Sequence, residues 1–360
     1  MTKFILGVVV IALVYAGFEA FRFVSAGPGR ASEQVIFEVP SGVPFRKIAQ
    51  QLQEKGLVLS ALRLRVFAKL TAQGGHVKHG EYALNRAMTP QEILSVLVSG
   101  KSIQYAITFP EGSNIYEMAD ILNAKGLYKG EDFLRLVKDK KVIAELLAVD
   151  VSSLEGYLFP ETYNVTKFTP LHELLATMVQ NFKGAYGNAE AELKSKGQSP
   201  PLARHEMVTL ASMVEKETGA GEERPLIASI FYNRLRKNMK LQSDPTIIYG
   251  IWSETGSYKG NITKDDILRP TKYNTYTVPR LPWGPIANPG REALAAVMRP
   301  ANSEFLYFVS RNNGTHVFSR TYEEHLKAVR SFQLDPTARE GKSWRDLKST
   351  EHTKAAGAGG

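Results

Sequence analysis

The chain carries one pattern twice. "VPSGVPFRKIAQQLQEKGLV" (residues 39–58) aligns without gaps to "FPEGSNIYEMADILNAKGLY" (109–128) at an offset of 70, with seven of twenty positions identical. The identities are Pro40/Pro110, Gly42/Gly112, Ala49/Ala119, Leu52/Leu122, Lys55/Lys125, Gly56/Gly126 and Leu57/Leu127. A repeated pattern implies a repeated local structure. Each copy reads as strand, glycine turn and amphipathic helix. Ile48, Ala49 and Leu52 fall at helical spacing, and Gly56 stands where a helix ends in a left-handed residue. A second helix and a short strand follow, the strand opening "YALNRAMTP" (82–90) in one copy and "YNVTKFTP" (163–170) in the other. The expectation is a duplicated β-α-α-β unit.

Ahead of the repeat, "MTKFILGVVVIALVYAGFEAFRFV" is uncharged from Phe4 to Phe18. That is short for a membrane span of roughly 20 residues. It reaches the length if Glu19 and Arg22 turn their charges toward head groups. An uncleaved transmembrane anchor over residues 1–26 is expected. Val24-Ser25-Ala26 leaves a cleaved signal peptide as the alternative. Either reading puts residues 31 onward outside the cytoplasmic membrane of a bacterium. "SAGPGRAS" (25–32) reads as a flexible joint, and the polar tail 336–360 as disordered.

Beyond residue 170 the pattern is mostly helical with long proline-rich connectors. "PLHELLATMVQNFKGAY", "HEMVTLASMVEKE" and "PLIASIFYNRLRKNM" have helical spacing, with Pro225 suited to a first turn. Asn288 and Pro289 read as N-cap and first residue of a helix that Pro300 ends. "EFLYFVSRNNGTHVFS" (304–319) reads as a hairpin around Asn-Gly. The fold class is therefore α+β: an N-terminal membrane helix, a small β-α-α-β domain at 27–103 and a larger, mostly helical α+β domain at 104–335.

Composition narrows the function classes. The net charge of +9 suits an anionic partner. No zinc finger, RNP-like motif or helix-turn-helix signature is present, so nucleic acid is not the expected partner. With no cysteine there is no disulfide and no thiol nucleophile. The seven histidines show no metal-binding spacing, and no metal or cofactor is expected.

Chemistry is sought where carboxylates meet aromatic and amide side chains. On a wheel for 205–218, Met207, Val208, Leu210, Ala211, Met213 and Val214 form a wide apolar face. Lys216 falls opposite it, and Glu215 and Glu217 flank it, each roughly 80° from its centre. Periodicity does not choose between the two glutamates, and either can be a salt-bridged helix end. "LEGYLFPETYNV" adds Glu155, Tyr157, Glu161 and Tyr163. "LQSDPTIIYG" adds Gln242, Ser243, Asp244 and Tyr249. "YNTYTVPRLPWGPIANPG" adds Asn274, Tyr276, Trp283 and Asn288. Flat apolar rings with hydroxyl and amide groups around a few carboxylates are what a sugar groove needs. Each segment also has a plain reading: Asp244-Pro245 as a cap, Tyr157 as core.

"EGYLFPETY", "LASMVEKET", "IFYNRL", "LQSDPTIIYG", "YNTY", "LPWGPIANPG" and "LYFV" resemble, in this order, the motifs of the endolytic murein transglycosylase family (MltG/YceG-like), from about residue 105 to 320. The first repeat copy resembles a LysM-type glycan-binding module. What the family resemblance implies is a single-pass enzyme of the cytoplasmic membrane with its catalytic domain on the periplasmic side. Such an enzyme would cut the β-1,4 bond between N-acetylmuramic acid and N-acetylglucosamine inside peptidoglycan strands and leave 1,6-anhydro ends. Cell-wall synthases would be its partners. The resemblance puts the catalytic acid on Glu215 and adds Asn233 to the substrate-binding candidates. Trp283 departs from the family's expected proline. One carboxyl suffices for this chemistry because the nucleophile, the muramic C6 hydroxyl, is tethered to the substrate. A hydrolase needs a second carboxylate, for which Glu161, Glu155 or Asp244 are candidates. Glu215 would need a pKa raised toward roughly 6–7, and Val208 and Ala211 are the expected source of desolvation. A muramidase and a non-catalytic wall-binding scaffold remain the alternatives.

Overall fold

The computed structural model describes residues 2–30, 33–258 and 261–334. The 336–360 tail, expected to be disordered, lies outside them. The described residues form two compact units, one from Met1–Ala106 with Tyr163–Pro170, the other from Ile107–Thr162 with the chain from Leu171 on. The smaller unit is thus discontinuous in sequence, where the sequence suggested one border near residue 103.

In chain order the smaller unit contains α1 (Thr2–Ser25), β1 (Gln34–Val39), α2 (Phe45–Glu54), α3 (Ala61–Leu70), β2 (Gly80–Asn85) and α4 (Pro90–Ser99). β1 and β2 pair antiparallel, with Phe37 opposite Tyr82. Their inward side chains join Ile48, Leu52, Leu64, Ile93 and Leu97 in one core. Phe23, in the last turn of α1, is buried in that core. The remainder of α1 shows exposed side chains such as Ile11, Val14 and Phe21. Among the described residues no helix is long and apolar enough to cross a membrane. The structure therefore does not carry the transmembrane expectation. The ionic residues near its C-terminal end fit this: Glu19 pairs with Arg22 and with Arg63 of α3.

The second copy of the repeat follows as β3 (Tyr105–Thr108) and α5 (Ile115–Lys125), then α6 (Gly130–Leu136), α7 (Lys140–Leu147) and β4 (Thr162–Val165). β3 and β4 are hydrogen-bonded to each other in a two-stranded sheet. The conformations match in detail: Gly42 and Gly112 both have φ +75°, Gly56 and Gly126 both φ +69°. These left-handed angles strain any residue with a Cβ, which explains why glycine recurs at both pairs.

The rest is α8 (Leu171–Ser195), α9 (Arg204–Glu217), α10 (Arg224–Arg236), α11 (Asp244–Thr255), α12 (Lys264–Leu268), α13 (Arg291–Met298), the hairpin of β5 (Tyr307–Ser310) and β6 (His316–Ser319), and α14 (Tyr322–Val329). Helix α9 packs on α10, α11 and α13. Every residue from Met207 to Val214 is buried, so α9 is a central helix with no solvated side there. The polar residues of that stretch bond inward: Ser212 Oγ donates to Thr209 O and accepts from Ile286 N–H. Two expected caps shift. Helix α13 begins at Arg291 with Gly290 as N-cap, because the Asn288 side chain is engaged elsewhere. Ser243, not Asp244, is the N-cap of α11.

Candidate active site

Helix α9 ends at Thr218, whose backbone is extended (φ −141°, ψ 140°). Its last turn therefore projects Glu215, Lys216 and Glu217 in three directions as the chain leaves the core. Glu215 is nearly enclosed, with 5% of its side chain exposed. Its Oε1 accepts from Arg224 Nη2 at 3.1 Å and its Oε2 from Gly290 N–H at 2.9 Å. Sequence reasoning put apolar neighbours on this carboxyl; the structure puts a guanidinium and a backbone N–H there. Lys216 turns aside and donates to Gly112 O at 3.1 Å.

Arg224 opens α10 and its Nη1 also donates to Glu292 Oε2. A cation at a helix N-terminus opposes the helix dipole. Two carboxylates offset that cost. Arg224 Nε is buried with no partner among the described residues, leaving a donor beside Glu215 unused. Glu111 completes the cluster. Its carboxyl lies against Gly290, where an added Cβ would fall 2.0 Å from Glu111 Oε1. Burial raises the Glu111 pKa, the Glu215 and Glu292 charges raise it further, and Arg224 lowers it. Three carboxyls around one guanidinium share an excess of negative charge, the condition under which one of them keeps a proton.

Glu217 faces another neighbourhood. Ser243 Oγ donates to its Oε1. Burial pushes its pKa up to about 7, opposed by the Ser243 hydrogen bond and by Arg234, and assisted by Asp244. Asp244 is exposed and accepts from Tyr276 OH at 2.6 Å. Gln242 is exposed with φ +50°, and its N–H donates to Thr275 O. Glu217, Gln242, Ser243, Asp244 and Tyr276 are thus brought together.

The other candidates are interior supports. Asn288 is fully buried, and its side chain makes four bonds to oxygen and nitrogen: Nδ2 donates to Ser113 O and Glu155 Oε1, both at 2.9 Å, and Oδ1 accepts from Gly156 N–H at 2.9 Å and Leu158 N–H at 3.0 Å. Glu155 Oε2 accepts from Ile115 N–H at 3.0 Å, and burial pushes its pKa up to about 8. Tyr249 is buried against Tyr273, and burial, then the Glu155 charge, hold its hydroxyl well above the ordinary range. Tyr157 is buried and shares a hydrogen bond of 2.8 Å with His205 Nδ1. Asn233 Nδ2 donates to Ser303 O and Phe305 O, and Asn274 Nδ2 to Ile267 O and Arg269 O. None of these side chains is open to a ligand. Glu161 is exposed and accepts from Asn181 at 3.1 Å. Tyr163 is buried and belongs to the smaller unit.

Sequence reasoning missed Glu111, Arg224, Gly290 and Glu292. Glu111 left a signal: it stands where the first repeat copy has Ser41, a carboxylate added to an otherwise shared turn. Arg224 left one too, as a cation in the first turn of a helix. Among the described residues no His/Cys/Asp/Glu group could hold a metal ion.

A central helix ending in two glutamates, one of them set among carboxyls and an arginine, is the arrangement of a carboxyl-based enzyme. The YceG-like family model matches residues 37–331, and the chain belongs to that family. It is 31% identical over 313 residues to a Bacillus subtilis protein named endolytic murein transglycosylase, covering 83% of this chain and 84% of that protein. It is 30% identical over 334 residues to a Streptococcus pneumoniae protein of the same name, covering 83% of this chain but only 58% of that protein's length. The crystal structure of a yceG-like protein from Listeria monocytogenes is similar, with a TM-score of 0.55 and 30% identity, covering 82% of this chain and 99% of that one.

Proposed function

We propose that this chain is a peptidoglycan lytic transglycosylase, cutting the β-1,4 bond between N-acetylmuramic acid and N-acetylglucosamine within glycan strands. The single observation that carries the reading is the Glu215 carboxyl, held at the end of a rigid, fully packed helix by Gly290 N–H and Arg224, beside the raised-pKa Glu111. Protonated Glu215 donates to the glycosidic oxygen as the C1–O4 bond breaks. The resulting carboxylate takes the proton of the muramic C6 hydroxyl as that oxygen bonds to C1. The products are a 1,6-anhydro end and a free 4-hydroxyl. Glu215 regains its proton and no water is consumed. Arg224, which Glu215 shares with Glu292, steadies the carboxylate between the two proton transfers. The unused Arg224 Nε is a donor for a substrate oxygen.

A second reading rests on Glu217. Its pKa of about 7 suits a general acid at neutral pH, with Ser243, Asp244 and Tyr276 beside it. Glu215→Gln and Glu217→Gln, assayed on uncrosslinked glycan strands by mass spectrometry, decide. Anhydro ends lost only in Glu215→Gln support the first assignment, and loss only in Glu217→Gln supports the second. Reducing ends from the unmutated protein would make it a muramidase, and strand binding without cleavage a scaffold.

The same reading sets the enzyme on the outer side of the cytoplasmic membrane. It gives the smaller unit a LysM-like glycan-binding role and cell-wall synthases as partners. The exposed apolar side chains of α1 favour attachment at that membrane. Carbonate extraction of membranes and protease access to whole and permeabilised cells would test it.

A further inference from the structure

Helix α3 is apolar on two sides. Leu64 and Ala68 face the core of the smaller unit. Leu62, Val66 and Leu70, spaced four apart, are 66%, 52% and 81% exposed. At 100° per residue they form an outward stripe about 80° wide. Arg63 borders one edge of the stripe, and Arg65 and Lys69 the other. Helix α3 contains no acidic residue. A shallow groove of 520 Å³ continues the surface between α3 and α2, lined by Phe45, Arg46, Leu62, Arg65, Val66 and Lys69. No ion pair among the described residues engages Arg46, Arg65 or Lys69. The fold does not need the stripe: the core is closed on its other side, and three large apolar side chains in water cost solubility without stabilising the unit.

We propose that this face of α3 lies on an anionic lipid surface, with Leu62, Val66 and Leu70 among the acyl chains and Arg46, Arg65 and Lys69 on phosphate head groups. Charge and continuity favour this occupant. An apolar stripe edged only by cations is the pattern of an interfacial helix. The surface also runs on from α1: Arg63 pairs with Glu19, Phe23 is buried in the same core, and α1 exposes Val14, Phe18 and Phe21. A glycan strand would call for hydroxyl and amide partners, and α3 offers none along the stripe. The contact is independent of the catalytic assignment. It would hold the smaller unit flat against the bilayer rather than at the end of a tether.

The chain has no cysteine, so Leu70→Cys accepts a single environment-sensitive fluorophore at a position that folding does not use. The full chain carrying that label would be added to phosphatidylcholine vesicles with and without phosphatidylglycerol. The expected result is a blue shift and quenching by spin-labelled lipid on the anionic vesicles. Both should be lost when Arg65→Gln and Lys69→Gln are added to the labelled protein. A label that stays water-like on both vesicles overturns the proposal. Equal responses on neutral and anionic vesicles also overturn it, because charge recognition is then absent. A response to soluble glycan strands but not to vesicles would assign the face to glycan instead. Circular dichroism of each variant separates loss of contact from loss of fold.

Discussion

Two carboxylate neighbourhoods in the larger unit look alike in composition and differ in wiring. Around Glu155, each carboxyl oxygen has a protein donor, and Asn288 joins four partners from two other stretches of chain. No cation takes part, and the network has no capacity left. Around Glu215, one guanidinium is shared by two carboxylates, a third carboxyl crowds the same backbone, and a buried donor is unused. A closed network with its charge suppressed specifies structure. An open one with competing charges can change protonation and accept a ligand. Burial of a glutamate alone does not distinguish the two.

The sharpest test of that contrast is at its poles. Glu215→Gln should lower turnover by about 10²–10⁴-fold, the usual worth of a general acid, with unfolding stability nearly unchanged. Product formation and urea denaturation, run on one preparation, would check both halves. A large stability loss with residual turnover would move Glu215 to the structural side. Asn288→Ala should do the reverse, costing on the order of 3–5 kcal/mol by leaving several buried groups unpaired. Loss of less than about 1 kcal/mol in denaturation would mean the network is not structural.

The pH dependence offers a finer test. The Glu155 pKa is raised in the fold to about 8, above the ordinary value of 4.5. The folded state therefore holds its proton more tightly than the unfolded chain. The contribution is full below the unfolded pKa and is lost as pH rises through about 8, with a ceiling of a few kcal/mol. Glu155→Gln should flatten that decline in thermal melts between acid and alkaline buffers. If the variant's melts fall just as steeply, the carboxyl is not what titrates.

Glu111→Gln removes the carboxyl whose pKa burial and the Glu215 charge raise. A limb of the kcat/KM profile should move while the fold stays intact, which a pH–rate profile would show. An unmoved limb would take Glu111 out of the proton economy. The smallest effect is expected at exposed Glu161. Glu161→Ala should change stability by no more than about 0.5 kcal/mol and leave the products as they are. A large change in turnover would return it to the site.

Helix placement and the repeat were legible in the sequence because both depend on local periodicity and on glycines at forced backbone angles. The left-handed Gly42, Gly56, Gly112 and Gly126 stand where the pattern put them. Glu215 and Glu217 were legible as a pair at the edge of a core. Their difference was not, since a wheel knows direction from the axis but not what another segment brings there.

By itself the sequence determined the α+β class, the repeated unit, the central helix ending in two glutamates, and the motifs that place the chain in its family. Only the tertiary structure decided which polar residues are supports and which are open. It turned Asn288, Asn233 and Asn274 inward to hold backbone groups, and it brought Glu111, Arg224 and Glu292 to Glu215 across up to 104 residues of chain. The physical reason is that an amide or a carboxyl is read by its partners. Those partners are far apart in the chain and meet only when burial leaves each polar group no choice but to find one.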